Sequence, residues 1–475
     1  MRVLACSRRA ALGGAAGLAG VLALDACASS RAPASSRPTE VPGAIRAASG
    51  ATGPVGRGQA TLRLAHWWAR LISPVIPLIE AKYNVKIVEE SVGFGEYRDK
   101  LLTQFAGGAA PDLLMLDNSA VGPFWTRGLL RPLDEALKTR KIEPDKWAID
   151  LDDYAGYRGR IQGLPMFLGF PVGWAINTDL IERAALDIPH RWPFWGTPEF
   201  DDFSWEKLIE NFAACTKRLS DGKVETYGDT TSWHGFSMAQ QVGIFENGGE
   251  LFDSYDFDEK VTRINSPEAI EVIQRTVDLV VSHRVAPPMG GEQAFKEGLW
   301  NAQKGVAKFS WFSYNIFGSP EERGFNWRWI SMPHVGRGRR VLKTTNLVSV
   351  NPRSTSGDLA LDVAVTLATD VDFTAALFPT WWNIPAYNPG AYLAAIKDPH
   401  KAEAMNVYLA RYPAFSRCRR CGENNKLVPG HLGRSAGFVA NTLTTQIQGV
   451  LAGEKSVPRA MDLAKQLIDA ELART

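Results

Sequence analysis

Patterned structure begins at Thr61. From Ala28 to Gly58 the chain is rich in Ala, Ser, Pro and Gly and has few large apolar residues, which predicts a disordered tether over 27–59. Thr61-Leu62-Arg63-Leu64-Ala65 then predicts a short strand. Ser73-Pro74 starts a helix with proline in its first turn, running to about Tyr83, with Asn84 as the stop. Val85-Lys86-Ile87-Val88 is the next strand. Tyr97, Leu101 and Phe105 recur at four-residue spacing, one face of a helix that Gly107-Gly108 ends. Asp112-Leu113-Leu114-Met115-Leu116-Asp117 is almost continuously apolar, as a strand buried on both faces requires. The order β-α-β-α-β predicts an α/β fold with a parallel sheet covered by helices. Ligands of such open sheets bind beyond the carboxyl ends of the strands. That rule selects the loops His66-Trp67-Trp68-Ala69-Arg70 and Asp117-Asn118-Ser119.

Further along, Gly169 to Ile176 reads as extended. Ser266-Pro267-Glu268 opens a helix with Ile270, Ile273, Val277 and Val280 on its apolar face. Glu271 and Arg275 form an i,i+4 pair worth a few tenths of a kcal/mol. Val306–Phe309 and Leu347–Val350 read as strands, and Val457–Leu472 as a helix with Met461, Ala464, Leu467 and Ile468 on one face. No internal repeat is visible.

Length changes the picture first: 475 residues exceed one ordinary core and predict two domains or lobes. At the start of the chain, Arg2, Arg8 and Arg9 precede an uncharged apolar run from Ala10 to Leu24. The run is too short to span a bilayer, so residues 1–26 read as a signal peptide. Ser7-Arg8-Arg9-Ala10-Ala11-Leu12 resembles a twin-arginine export signal, departing from it at Ala11. Leu24-Asp25-Ala26-Cys27 resembles a lipoprotein processing box with Asp25 as an unusual occupant. It would make Cys27 the lipidated first residue and attach the protein to a membrane. A plain cleaved signal is the alternative.

Charge then excludes a class of partner. The chain has 53 Lys+Arg and 51 Asp+Glu, and 50 of each without residues 1–26. A nucleic-acid binder would carry a basic surplus. Cys215 reads as a buried single thiol. Cys418 and Cys421, in Arg-Cys-Arg-Arg-Cys-Gly, read as a local disulfide outside the cytoplasm. A zinc site needs four ligands, and only the distant His431 is nearby in sequence. No metal and no cofactor are expected.

No nucleotide loop, no Gly-x-Ser-x-Gly elbow and no His-Glu-x-x-His is present. Asp152-Asp153 and Asp201-Asp202 are adjacent carboxylates, which do not establish the cross-ring pair a glycosidase needs. What recurs instead, among 15 tryptophans, is an aromatic beside a polar group on a loop. Trp67-Trp68 precedes Arg70; Trp233-His234 follows Thr230-Thr231-Ser232; Phe245-Glu246-Asn247 enters a glycine turn. Trp311-Phe312-Ser313-Tyr314-Asn315 follows a strand, and Trp381-Trp382-Asn383 completes the series. A sugar has apolar C–H faces that pack on rings and hydroxyls that need donors and acceptors, so a sugar site collects these residue types. Taken singly, each tryptophan fits core packing better; the set carries the reading.

Several segments resemble one family. These are Gly107-Gly108-Ala109-Ala110-Pro111-Asp112-Leu113-Leu114 followed by Gly128-Leu129-Leu130-Arg131-Pro132-Leu133-Asp134, and Gly163-Leu164-Pro165 leading to Trp174-Ala175-Ile176-Asn177-Thr178-Asp179-Leu180. Asn247-Gly248-Gly249 and Gly305-Val306-Ala307 belong with them, although Lys308 stands where the family has methionine. Their order and spacing, from about residue 60 to 470, are similar to the family 1 extracellular solute-binding proteins, the binding components of ABC importers for carbohydrates, maltose-binding proteins among them.

The resemblance implies two α/β lobes of the periplasmic-binding-protein kind, hinged by crossing strands at Pro171–Ile176 and Thr345–Val350, with ligand in the cleft between them. It implies an N-terminal lobe over 60–172 and a second lobe mainly over about 173–345, with interleaved parts from about 265. A C-terminal segment over about 346–475 would return to the N-terminal lobe and cover the cleft. The substrate-binding residues would be Trp67, Trp68, Arg70, Asp117, Asn118, Ser119, Trp233, His234, Glu246, Trp311, Tyr314, Trp381 and Trp382, with either member of each tryptophan pair facing the ligand. The implied protein is a monomer at the outer face of the cytoplasmic membrane that delivers a carbohydrate to permease subunits without breaking a bond. A polyol or glycerol phosphodiester is the alternative ligand, though phosphate prefers a cleft richer in Arg or Lys. A secreted carbohydrate-active enzyme is the alternative from another class.

In Pro379-Thr380-Trp381-Trp382-Asn383-Ile384-Pro385-Ala386-Tyr387-Asn388-Pro389-Gly390 the prolines limit the loop's conformations and lower the entropy lost in presenting its rings. One tryptophan is expected to be a platform and the other to pack beneath it.

Overall fold

In the computed structural model the described residues are 59–117, 121–167, 172–194, 203–291, 298–311, 324–331, 333, 339–343, 345–377, 385–395, 425–429 and 432–474. Their strands are β1 Ala60–His66, β2 Val85–Ser91, β3 Leu113–Asp117, β4 Gly156–Tyr157, β5 Arg160–Ile161, β6 Leu164–Pro165 and β7 Val172–Asn177. These are followed by β8 Lys217–Arg218, β9 Val224–Asp229, β10 Gly305–Trp311, β11 Trp327–Ser331, β12 Arg339–Lys343, β13 Asn346–Val350 and β14 Asn425–Pro429. β1 runs parallel to both β2 and β3, as the β-α-β-α-β pattern predicts. The first sheet has the order β2-β1-β3-β13-β6, and β13 is antiparallel to β3 and β6. The second has the order β11-β7-β10-β9-β8, with β10 parallel to β9 and antiparallel to β7. The result is a mixed α/β protein of two lobes, each built on one sheet.

Local chemistry explains most element boundaries. The helix Phe94–Ala106 buries Tyr97, Leu101 and Phe105, and the Tyr97 hydroxyl donates to the Ala65 carbonyl at 2.8 Å, tying the helix to β1. Asn84 takes φ 48° and ends the helix Ile76–Tyr83. The single helix expected from Ser73 is three pieces: Ala69–Ile72, a 3-10 turn Ser73–Val75, and Ile76–Tyr83. Pro74 and Pro77 lack an N–H, so each sits in the first turn of its own piece and none continues through it. Ser266 caps the helix Pro267–Val280 by accepting the Ala269 N–H at 3.3 Å, and Arg275 pairs with Glu271 at 2.7 Å. Cys215 is buried, and burial pushes its thiol up to about 12.

Each sheet has its own hydrophobic core. The first gathers Leu62, Leu64, Leu113–Leu116 and the helix Gly357–Thr369, which packs on β13. The second gathers Trp174, Ile176, Phe212, Ile273 and Ile330. The C-terminal part corrects an expectation. The helices Ala436–Leu451 and Val457–Leu472 do not return to the first lobe; they bury Val439, Leu443, Ile447, Met461, Ala464 and Ile468 in the second core against Pro267–Val280. Leu467, expected on the same face as Met461, is 47% exposed, because it lies off the stripe of Val457, Met461, Ala464 and Ile468.

Candidate functional site

Strand register sets where the lobes meet. β13 begins beside the end of β3 (Asn346 opposite Asp117), and β6 ends there too (Pro165 opposite Leu347). The chain therefore leaves and re-enters the first sheet at the carboxyl ends of its parallel strands. In the second sheet the start of β7 lies opposite the end of β10 (Val172 opposite Trp311), and the end of β11 lies there as well (Ser331 opposite Gly173). So the carboxyl edges of β9 and β10 are the edges nearest the crossings. The described residues where the chain leaves and re-enters the first sheet are tied together: Met166 N–H donates to the Asn346 carbonyl at 2.9 Å, and the Thr345 hydroxyl donates to the Phe167 carbonyl. Both sheets thus place at these passages the strand ends where open α/β sheets as a class bind ligands.

The first-lobe edge is aromatic. Trp67 and Trp68 follow β1, half-buried, with ring centroids 4.9 Å apart. Trp67 leans on the next helix, 5.4 Å from Phe94 and 5.1 Å from Tyr97. Trp68 lies 5.6 Å from Phe167, on the first crossing. Phe94 opens the helix after β2 and is 60% exposed, the most open of the large apolar side chains among the described residues. Asp117 ends β3, the strand that pairs with β1, and is half-buried. With its amide oriented to satisfy both ends, Asn346 donates to Asp117 Oδ2 at 3.1 Å. The sequence argument passed over Phe94 and Phe167; the signal available for Phe94 was its place one loop beyond the carboxyl end of β2.

The second-lobe edge is built around a buried carboxylate that the sequence argument also missed. Asp229 ends β9, fully buried. It accepts the Trp233 indole N–H at 2.8 Å and the Thr231 N–H at 3.0 Å, and the Thr231 hydroxyl as well. Thr231 Oγ1 in turn accepts the Phe309 N–H at 2.8 Å. Burial outweighs these bonds and raises the Asp229 carboxyl to about 6. Trp233 packs against Trp174 and Phe309 and is 1% exposed. It is a core residue whose only polar atom is used on Asp229, so the expectation of a sugar platform at Trp233 is corrected. Glu246 ends the helix Met238–Glu246 rather than lying on a loop, and it is buried. That removes it from the exposed ligand edge. His234 is half-buried, with Nδ1 3.0 Å from the Ser232 hydroxyl and Nε2 3.3 Å from the Pro287 carbonyl.

For Arg70 and Trp311 only the backbone is described, in the helix Ala69–Ile72 and at the end of β10. Asn118, Ser119, Tyr314, Trp381, Trp382, Cys27, Cys418 and Cys421 lie outside the described residues. The end of the double-tryptophan segment is described. Pro385 bridges Phe167 and Tyr387 bridges Trp147, where the two rings meet at 5.1 Å. Ala148 N–H donates to the Ala386 carbonyl at 2.8 Å and Asn388 N–H to that of Lys146 at 2.7 Å. This anchor is in the first lobe, three residues past Trp382 and against the residue that touches Trp68.

Residues 69–361 match the family described as bacterial extracellular solute-binding protein. Solved structures share the fold across most of the chain. An ABC substrate-binding protein from Listeria monocytogenes in complex with cycloalternan is 18% identical, with TM-score 0.71 over 88% of this chain and 100% of that one. The mannotriose-bound protein CpMnBP1 is 18% identical, with TM-score 0.70 over 86% and 100%. The maltose/maltodextrin-binding domain from Bdellovibrio bacteriovorus bound to maltotriose is 17% identical, with TM-score 0.65 over 88% and 100%. With its two lobes, paired sheet edges and matching sequence segments, this chain belongs to the bacterial extracellular solute-binding proteins.

Proposed function

We propose that the protein binds a sugar or oligosaccharide between its lobes and hands it to the permease of an ABC importer, breaking no bond. The observation that carries this reading is the first-lobe edge: an exposed Phe94, a half-buried Trp67 and Trp68, and the Asp117 carboxylate at the end of the neighbouring strand β3. Rings offer flat apolar surface to the C–H faces of a sugar, and the carboxylate offers acceptors to its hydroxyls. The oligosaccharides named for the similar structures agree with that chemistry. Arg70, Asn118, Ser119, Trp311, Tyr314, Trp381 and Trp382 complete the proposed site, contributed from both lobes. Ligand touching both lobes favours the closed form, which the permease then engages. Residues 1–26 direct export and Cys27 carries the lipid anchor of a monomer on the outer face of the membrane.

A thermal-shift screen over mono- and oligosaccharides tests the reading. A ligand raises the melting temperature by mass action, and chromatography recovers it intact. A shortened oligosaccharide in the recovered material would establish an enzyme instead.

A further inference from the structure

The direction of the aromatic edge is set by a residue beneath it. His66 ends β1 with its side chain fully buried. Its carbonyl accepts the Val92 N–H at 3.1 Å, holding it to the far end of β2. Its Nδ1 accepts the Trp68 N–H at 3.1 Å, the bond that turns the chain out of the strand. Its Nε2 lies 2.9 Å from Glu89 Oε1, and Glu89 also accepts the Ser73 hydroxyl. The Trp68 N–H sets the tautomer of the neutral ring: Nδ1 keeps its lone pair toward Trp68, so the proton is on Nε2, on the side of Glu89. The Trp68 carbonyl accepts the Ile72 N–H at 2.9 Å, so the residue is held on both sides.

We propose that neutral His66 is a positioning residue for the Trp68 ring, and that protonation of Nδ1 releases Trp68 and weakens ligand binding in acid. The inference rests on the reading of this edge as a sugar platform. Protonation replaces the acceptor by a donor facing another donor, and the turn at Trp68 loses its closing bond. Glu89 of β2 lies against the imidazole; the surrounding elements also carry Arg63 on β1, Lys86 and Glu90 on β2, Glu96, Tyr97, Arg98, Asp99 and Lys100 on the helix Phe94–Ala106, Asp117 on β3 and Arg70 in the helix Ala69–Ile72. Glu89 favours the charged ring, but burial outweighs it and holds the imidazole below its ordinary range. The neutral form therefore prevails at neutral pH, and release falls on the acid side.

The test compares wild type, His66→Asn and His66→Ala. Asparagine offers an amide oxygen to the Trp68 N–H and does not titrate. Two readouts are taken from about pH 7.5 down to the pH at which the protein begins to unfold: hydrogen-exchange protection of the Trp68 amide without sugar, corrected for intrinsic exchange, and oligosaccharide affinity. In wild type, protection is lost and affinity falls about tenfold across this range. In His66→Asn both stay nearly level, and His66→Ala is weak at every pH. Parallel losses in wild type and His66→Asn, or full affinity in His66→Ala at neutral pH, overturn the proposal. If no sugar binds even to wild type at neutral pH, the sugar reading fails; acid-dependent Trp68 protection in wild type alone still establishes the positioning role, and its absence overturns it.

Discussion

The ring of Trp68 packs 5.6 Å from that of Phe167, at 38°, where the chain leaves the first lobe. Its neighbour Trp67 faces the other way, onto Phe94 and Tyr97. The pair therefore divides its work, and single substitutions should separate the two roles. Trp68→Ala should weaken oligosaccharide binding about tenfold, near the upper value of an aromatic contact, beyond the stability it costs as a half-buried ring packed on Phe167. Trp67→Ala should lower stability by about 2 kcal/mol, less than a full core truncation because the ring is half-buried. Calorimetric titration and urea denaturation check the two halves; equal effects on both measurements would remove the division.

Trp233→Phe keeps a ring in the second core but deletes the donor to Asp229. A buried acceptor that loses its partner costs about 1–3 kcal/mol. Denaturant unfolding should show that loss, while sugar affinity of the folded protein stays within about twofold. A large selective loss of affinity would restore Trp233 to the ligand surface.

Asp229 gives a pH signature of its own. Its carboxyl is raised from 3.8 to about 6 in the folded protein, so the folded state holds a proton that the unfolded state releases. The sign follows: its contribution is fully present below pH 3.8 and is lost as pH rises through about 6. The loss is about 3 kcal/mol, from a shift of some two units. The stability difference between wild type and Asp229→Asn, followed by denaturation from about pH 4 to about pH 7, should move against wild type over that window. A constant difference contradicts the assignment.

Phe257 joins the lobes away from the crossings. It lies in the loop before the helix Pro267–Val280, at φ 60°, a costly backbone for a bulky residue. Its ring meets Trp125 at 5.5 Å and Tyr157 at 5.7 Å, both in the first lobe. Phe257→Ala should cost about 3 kcal/mol by loss of that packing, read as a lower denaturation midpoint. A change below about 0.5 kcal/mol, the level of an ordinary surface substitution, would show that the contact holds nothing.

The first lobe was legible because β3 is a continuous apolar run and the helix Phe94–Ala106 carries a clean four-residue stripe at Tyr97, Leu101 and Phe105. The helix at Pro267 was legible from its cap and proline. The site was only half legible. The carboxyl-end rule for parallel sheets selects the loops of Trp67, Trp68 and Asp117, and the structure places these residues at the ends of β1 and β3. The rule could not tell Trp233, which is core, from Trp68, which is edge: both are tryptophans beside polar residues, and only the Asp229 hydrogen bond and three-dimensional packing distinguish them. The role of His66 within its selected loop, and Asp229 altogether, escaped notice for a related reason. Their roles depend on Glu89 and Thr231 being brought to them by neighbouring strands and turns, which residue spacing does not record. The destination of the last two helices was hidden too, since an apolar stripe shows that a helix packs but not against which lobe.

The most direct measurement is a calorimetric titration of the mature protein with linear and cyclic oligosaccharides at neutral pH, with the sugar analysed afterwards. The account predicts saturable binding of one sugar per chain and recovery of the sugar uncut. Heats no greater than dilution for every sugar, or recovery of shortened chains, would contradict it.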